Sequence, residues 1–160
     1  MARKGKRPRR REVYSINVGY PPSQPKTYSP KDYPDGDVCR DHVVSVLNDA
    51  PIDGWLFELV YRYGIYRGLT VDWAIMLNAR AAADGPKAER RRVERIDICH
   101  SEVHRHSFTR SSDPEDEQGK RTTIQPLTAG DAVKVSKAYD DQLALLSREW
   151  PERARSWIDG

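Results

Sequence analysis

The chain holds only two cysteines in 160 residues, Cys39 and Cys99. That is too few for a disulfide framework and fits a reducing compartment. No apolar run approaches the roughly 20 residues a membrane-spanning helix needs, which excludes a helical membrane protein. The basic N-terminus is not followed by an apolar stretch of about 7–15 residues, so no secretory signal is expected. Several enzyme motifs are missing too. There is no C-x-x-C, H-E-x-x-H, phosphate-binding loop, dinucleotide-binding glycine pattern or G-x-S-x-G elbow. The paired His-x-Ser/Thr motifs of two-histidine phosphoesterases are also absent. The expectation is a cytoplasmic protein that needs no cofactor.

Charge is abundant instead. Charged residues make up 32% of the chain and hydrophobic ones 38%, with a mean hydropathy of −0.80 and a net charge of +3. Seven of the 27 basic residues (Arg3, Lys4, Lys6, Arg7, Arg9, Arg10 and Arg11) fall in the first eleven positions. The rest of the chain is therefore mildly acidic, which excludes a globally basic nucleic-acid-binding domain. Residues 1–12 read as a disordered cationic arm suited to gripping phosphates, where each cation displaces condensed counterions. Its plainer role is a solubilising tail.

A single α+β domain is expected over residues 37–160, a length sufficient for a core of its own. Before it, Val13, Ile16 and Val18 suggest a short strand. Residues 20–36 carry five prolines and three tyrosines and read as a packed strap. Residues 37–48 read as a short N-terminal helix capped by Asp37. The period then changes to two: Trp55, Phe57, Leu59, Tyr61 and Tyr63 share one face of a strand over 54–63. Leu69, Val71, Trp73, Ile75 and Leu77 share one face of its hairpin partner over 69–78, with a turn over Gly64–Gly68. Strands follow at 90–99 and 103–109, joined near Ser101 and Glu102, and then a polar loop at 111–121. Thr128 and Asp131 have capping-box spacing ahead of a helix striped by Ala132, Val135, Tyr139, Leu143, Leu146 and Trp150. Pro151 is expected to interrupt that helix. The predicted architecture is an antiparallel meander of four to five strands with a C-terminal helix packed on one face.

Three of the four histidines, His100, His104 and His106, lie within seven residues, close to Arg95, Asp97, Cys99 and Glu102. On a strand, His104 and His106 point to one face. In metal-free phosphodiester cleavage a neutral imidazole takes the proton of a 2′-hydroxyl and a protonated one donates to the leaving oxygen. Arg95 would hold the phosphate, Asp97 would orient an imidazole and His100 would assist. The same residues could instead ligate a divalent metal, although the glutamate of cupin metal strands is replaced here by Arg110 and Ser111. The bland alternative is a polar sheet face, with Cys99 a small buried residue. The basic run Lys87, Arg90, Arg91, Arg92 and Arg95 alternates with Glu89 and Glu94 and reads as a solvated edge. Its position leading into the cluster makes Arg91 a candidate nucleic-acid contact.

The order of Trp73, an Arg95-x-Asp97 strand ending at His100, a His104-x-His106 strand and a terminal helix resembles the small toxins of TumE-type bacterial toxin–antitoxin pairs. It also resembles related actinobacterial proteins with an R-[YV]-D…H…H pattern. The likeness covers about residues 69–146. Ile96 replaces the usual aromatic, the turn between His100 and His104 is shorter, and residues 1–50 have no counterpart. The resemblance implies growth inhibition relieved by a cognate antitoxin protein, with RNA as the target. Three functions follow as expectations. The leading one is a metal-independent ribonuclease with His104 and His106 as acid/base pair. The others are a non-enzymatic module that docks on nucleic acid or a ribonucleoprotein, and a metal-dependent hydrolase.

Overall fold

The computed structural model describes residues 27–160. The basic arm, with Arg3, Lys4, Lys6, Arg7, Arg9, Arg10 and Arg11, lies outside the described residues, as do the strand expected at 13–18 and the start of the strap.

Among the described residues six antiparallel strands follow one another in space as in sequence: β1 (Cys39–Val46), β2 (Trp55–Tyr66), β3 (Leu69–Ala81), β4 (Arg91–Cys99), β5 (Glu102–Ser107) and β6 (Lys120–Pro126). The one α-helix among the described residues, α1 (Ala132–Asp159), packs on one face. The α+β meander with a C-terminal helix is as expected, but its elements differ in kind and number. The expected N-terminal helix at 37–48 is strand β1, and the strand count is six rather than four or five. β1 and β6 are the two edges of the sheet. An edge strand has one neighbour and no need to bury a full face, so its alternation is diluted by polar residues. In β1 the three valines Val43, Val44 and Val46 favour extended backbone, and Val44 and Val46 remain exposed.

The β2–β3 hairpin is the strongest expectation met. Its turn is tighter than Gly64–Gly68: only Arg67 and Gly68 leave the strands, at φ of 49° and 80°. That geometry is a primed two-residue turn, which glycine enters without steric cost. Phe57, Leu59, Trp73, Ile75 and Leu77 are buried on the face toward α1, with Val93, Ile96 and Ile98 of β4 continuing the layer. The helix contributes Val135, Tyr139, Leu146, Ala154 and Trp157. Each valine, leucine, isoleucine or phenylalanine among them contributes about 1.5–3 kcal/mol by leaving water. Trp73 Nε1 donates to the Val135 carbonyl at 3.1 Å, and Trp157 meets Trp55 edge-on at 4.9 Å, which fixes the helix against the sheet. Pro151 does not interrupt α1, which runs through it for 28 residues. The packing of Trp150, Ala154 and Trp157 on either side outweighs the backbone bond that proline cannot make.

Within the strap, Tyr28 is buried and its hydroxyl donates to the Val71 carbonyl at 2.6 Å. Tyr33 packs between Tyr28 and Tyr66. Among the described residues no helix is long and apolar enough to cross a membrane.

Candidate functional site

The face of the sheet opposite α1 carries the histidine cluster and its charged partners. A bulge on β4 at Val93, across from the Leu77–Asn78 step of β3, sends both Val93 and Glu94 toward the helix, where Glu94 meets Arg153 at 3.2 Å. From there the alternation turns Arg95, Asp97 and Cys99 to the open face, because Ile96 and Ile98 must face the core. The β4–β5 connection then sets the register. His100 and Ser101 close the hairpin in two residues, both at positive φ (51° and 60°). Asp97 is thereby placed directly opposite His104, Arg95 opposite His106, and Cys99 opposite Glu102. On β6, Thr123 faces His104 and Arg121 faces His106.

The resulting contacts form a continuous network. His104 Nε2 lies 2.9 Å from Asp97 Oδ1, and the other oxygen of Asp97 is 2.7 Å from Arg95 Nε. Cys99 Sγ is 3.4 Å from His104 Nε2. On the other side of the ring, Nδ1 is 4.0 Å from Glu102 Oε1. Glu102 is itself held by Arg121 and by the Thr123 hydroxyl. The rings of His104 and His106 meet edge to face at 4.7 Å. His106 Nδ1 bonds the Gln118 carbonyl, and Nε2 has no partner among the described residues. That carbonyl is positioned by a tight loop in which Asp116 accepts from the Gln118 and Gly119 amides. Gly119 is required there: at φ of 52° a Cβ would stand 2.6 Å from the Ser107 carbonyl oxygen.

Burial decides what these groups do. His104 is 0% exposed and His106 2%. Burial is the main force pushing the His104 imidazole below its ordinary range; His106 and Arg121 add to it and Asp97 opposes it, so the ring is neutral at pH 7. Burial, reinforced by Asp97, pushes the Cys99 thiol up, so it is held protonated rather than as a nucleophile. His100, by contrast, is exposed at the turn. It lines a cavity of about 620 Å³ together with Cys99, Glu102, Lys31, Arg40 and Arg62. Asp72 pairs with Arg62 at 3.3 Å and with Arg40 at 3.9 Å.

The structure therefore brings Arg95, Asp97, His104 and His106 together, and separates His100 from them as the solvent-facing member. Arg91 does not join the group. It sits opposite Ala79 on the helix side, bonded to the Ser112 carbonyl and lying over Trp157. Arg90 is neutralised by Glu58 and Arg92 by Glu117. Sequence reasoning missed Arg40 and Arg62 as site residues. Arg62 shares a face with the cluster through the β2–β3–β4 register, across Ala74 from Asp97, and Arg40 joins them because 39–46 is a strand paired to β2. Cys99 had a weak signal, its position two residues from Asp97. No protein-family model, curated protein or solved structure matches the chain.

Proposed function

We propose that this protein is a toxin-like ribonuclease that cleaves RNA without a metal in the reaction, with the chemistry at the cavity mouth. The observation that carries the reading is the exposed imidazole of His100 on a cavity wall that also holds Glu102 and the cations Lys31, Arg40 and Arg62. Lys31 binds the phosphodiester, joined by Arg40 and Arg62 as the phosphate displaces their partners Asp35 and Asp72 on the same wall, and together they stabilise the charge that builds on its oxygens. Glu102 takes the proton of the 2′-hydroxyl, which attacks the adjacent phosphorus. Protonated His100 donates to the departing 5′-oxygen, leaving a 2′,3′-cyclic phosphate. The buried pair of Asp97 and His104 acts as positioning residues, His104 through Glu102 and Asp97 through Arg95 and His104. This assignment moves the acid/base pair away from His104 and His106, whose burial keeps them from substrate.

Within the same reading, growth inhibition is relieved by an antitoxin protein that covers the cavity. The test is growth of bacterial cells expressing the wild-type chain, His100→Ala, or His104→Ala with His106→Ala, at matched soluble levels. The purified proteins are assayed on RNA alongside. Growth arrest and cyclic-phosphate ends with the wild type, and neither with His100→Ala, support the proposal. Intact RNA with the wild type overturns it.

The burial of His104 and His106 favours a second reading, a non-enzymatic RNA-binding module whose histidines serve the fold. It requires that RNA binding be unchanged by His100→Ala and that no cleavage occur with any variant.

A further inference from the structure

Three donors of different chemistry converge behind the cavity wall. Asp97, Cys99 and His104 each present one donor atom, and the three atoms lie within 4.8 Å of one another. Sγ of Cys99 to Nε2 of His104 is 3.4 Å, and that nitrogen to Oδ1 of Asp97 is 2.9 Å. A tetrahedral zinc ion, about 2.3 Å from sulfur and about 2.0–2.1 Å from nitrogen and oxygen, sets such pairs about 3.3–3.6 Å apart. The sulfur–nitrogen pair already has that spacing. The nitrogen–oxygen pair has to open by only about 0.4 Å to reach it. The placement follows from strand register: Asp97 and Cys99 are two apart on β4, and His104 stands directly across from Asp97.

We infer that Asp97, Cys99 and His104 form a binding site for one divalent transition-metal ion of the zinc class, with its fourth position supplied by water from the cavity side. A thiolate, an imidazole and a single carboxylate oxygen suit zinc or cobalt; calcium and magnesium require all-oxygen shells. Cys99 lines the cavity, which gives the ion an entry path.

One supporting group that metal ligands normally need is in ion-pair contact and a second stands close by. Arg95 holds the second oxygen of Asp97 at 2.7 Å, leaving Oδ1 free to ligate. Glu102 stands 4.0 Å from Nδ1 of His104, on the side where a ligating imidazole carries its hydrogen. The unpartnered Nε2 of buried His106 adds an uncommitted lone pair on the ring that packs against His104. On binding, the imidazole moves its proton from Nε2 to Nδ1, and the thiol gives its proton to solvent. The ion accepts lone pairs from Sγ, Nε2 and Oδ1, and one proton is released per ion bound.

The inference does not depend on the ribonuclease reading. Its test uses the full chain, Co²⁺ as probe and Zn²⁺ as competitor. One Co²⁺ per chain is expected, with a thiolate-to-cobalt charge-transfer band that Zn²⁺ abolishes and with one proton released per ion. The band persists in Cys39→Ser and is lost in Cys99→Ser, a near-isosteric change whose fold is checked by circular dichroism. Asp97→Asn weakens binding about tenfold or more. No band with the wild-type chain, or a band that survives Cys99→Ser and disappears in Cys39→Ser, overturns the site. RNA cleavage measured on the same samples separates the two proposals: cleavage without metal binding removes only this one, and metal binding without cleavage removes only the other.

Discussion

Replacing His100 by glycine tests whether that residue is kept for chemistry or for the fold. His100 occupies left-handed backbone at φ of 51° in a two-residue turn, followed by Ser101 at 60°. An L-residue there costs about 1–2 kcal/mol, from which glycine is exempt. Glycine also loosens the unfolded chain, which returns about 0.4–1 kcal/mol of that gain. The imidazole is exposed and makes no hydrogen bond among the described residues. His100→Gly is therefore expected to stabilise the protein by about 0–1.6 kcal/mol, raising Tm by up to about 6 °C. His100→Ala retains the strain and stays within about 0.5 kcal/mol of wild type. Thermal unfolding and RNA cleavage are read on the same preparations. The expected outcome is two variants at least as stable as wild type within that range, both inactive. A Gly variant destabilised by more than about 1 kcal/mol would show that the imidazole supports the turn. Undiminished cleavage by both variants would remove His100 from the mechanism.

Glu58 is a second target, its side chain 5% exposed and bridging Arg80 at 2.7 Å and Arg90 at 2.6 Å. Burial raises its carboxyl pKa, but the bonds and charges of Arg90 and Arg80 outweigh that and hold it below the usual range. Because the folded pKa is depressed, its contribution is complete above the unfolded value of about 4.3 and is lost as pH falls through the folded one. Urea unfolding at pH 7 should show Glu58→Gln weaker by about 2–4 kcal/mol, with the gap closing in acid; a gap independent of pH refutes the ion-pair account. Gly119→Ala should cost about 1–3 kcal/mol from the left-handed backbone and the clash with the Ser107 carbonyl, and an unchanged urea midpoint would contradict that. Pro151→Ala should raise stability by about 1–3 kcal/mol by restoring a helix bond in α1; a fall in Tm would show that the proline ring is itself packed.

What could be read from the sequence tracks how one-sided each element is. Phe57, Leu59, Trp73, Ile75 and Leu77 bury one face against α1, so period-two alternation survives intact in β2 and β3. The α1 stripe is legible for the same reason, since Val135, Tyr139 and Leu146 must all meet the sheet. β1 and β6 were hidden because an edge strand satisfies only one row of neighbours, and Lys120, Arg121, Thr122 and Thr123 carry no apolar alternation. At the site, the nearness of Asp97, His104 and His106 followed from short spacing along the chain. Which face Asp97 shares was fixed only by the number of residues in the turn, and two residues with positive φ are not marked by glycine here. The burial of His104 and His106 depends on Arg95, Arg121 and the Gln118 loop closing around them, which no local pattern encodes. Arg62 reaches the cavity through the β2–β3 register, and Arg40 through a β1–β2 pairing that exists only because 39–46 is a strand.

The strictly sequential order of the six strands has a kinetic consequence. Among the described residues every strand pairs only with its neighbours in sequence, so this part of the sheet is a series of hairpins with no crossover to thread. Closing each hairpin costs little loop entropy, and assembly can spread from the β2–β3 pair outward, faster than in β folds built on distant pairings. The helix arrives from the far end of the chain and is expected to dock late, after the apolar face it covers has formed. Contacts made after the barrier govern how fast the native state opens, not how fast it forms. Weakening the seat of Trp157 on the sheet should therefore quicken unfolding while leaving the refolding rate nearly unchanged.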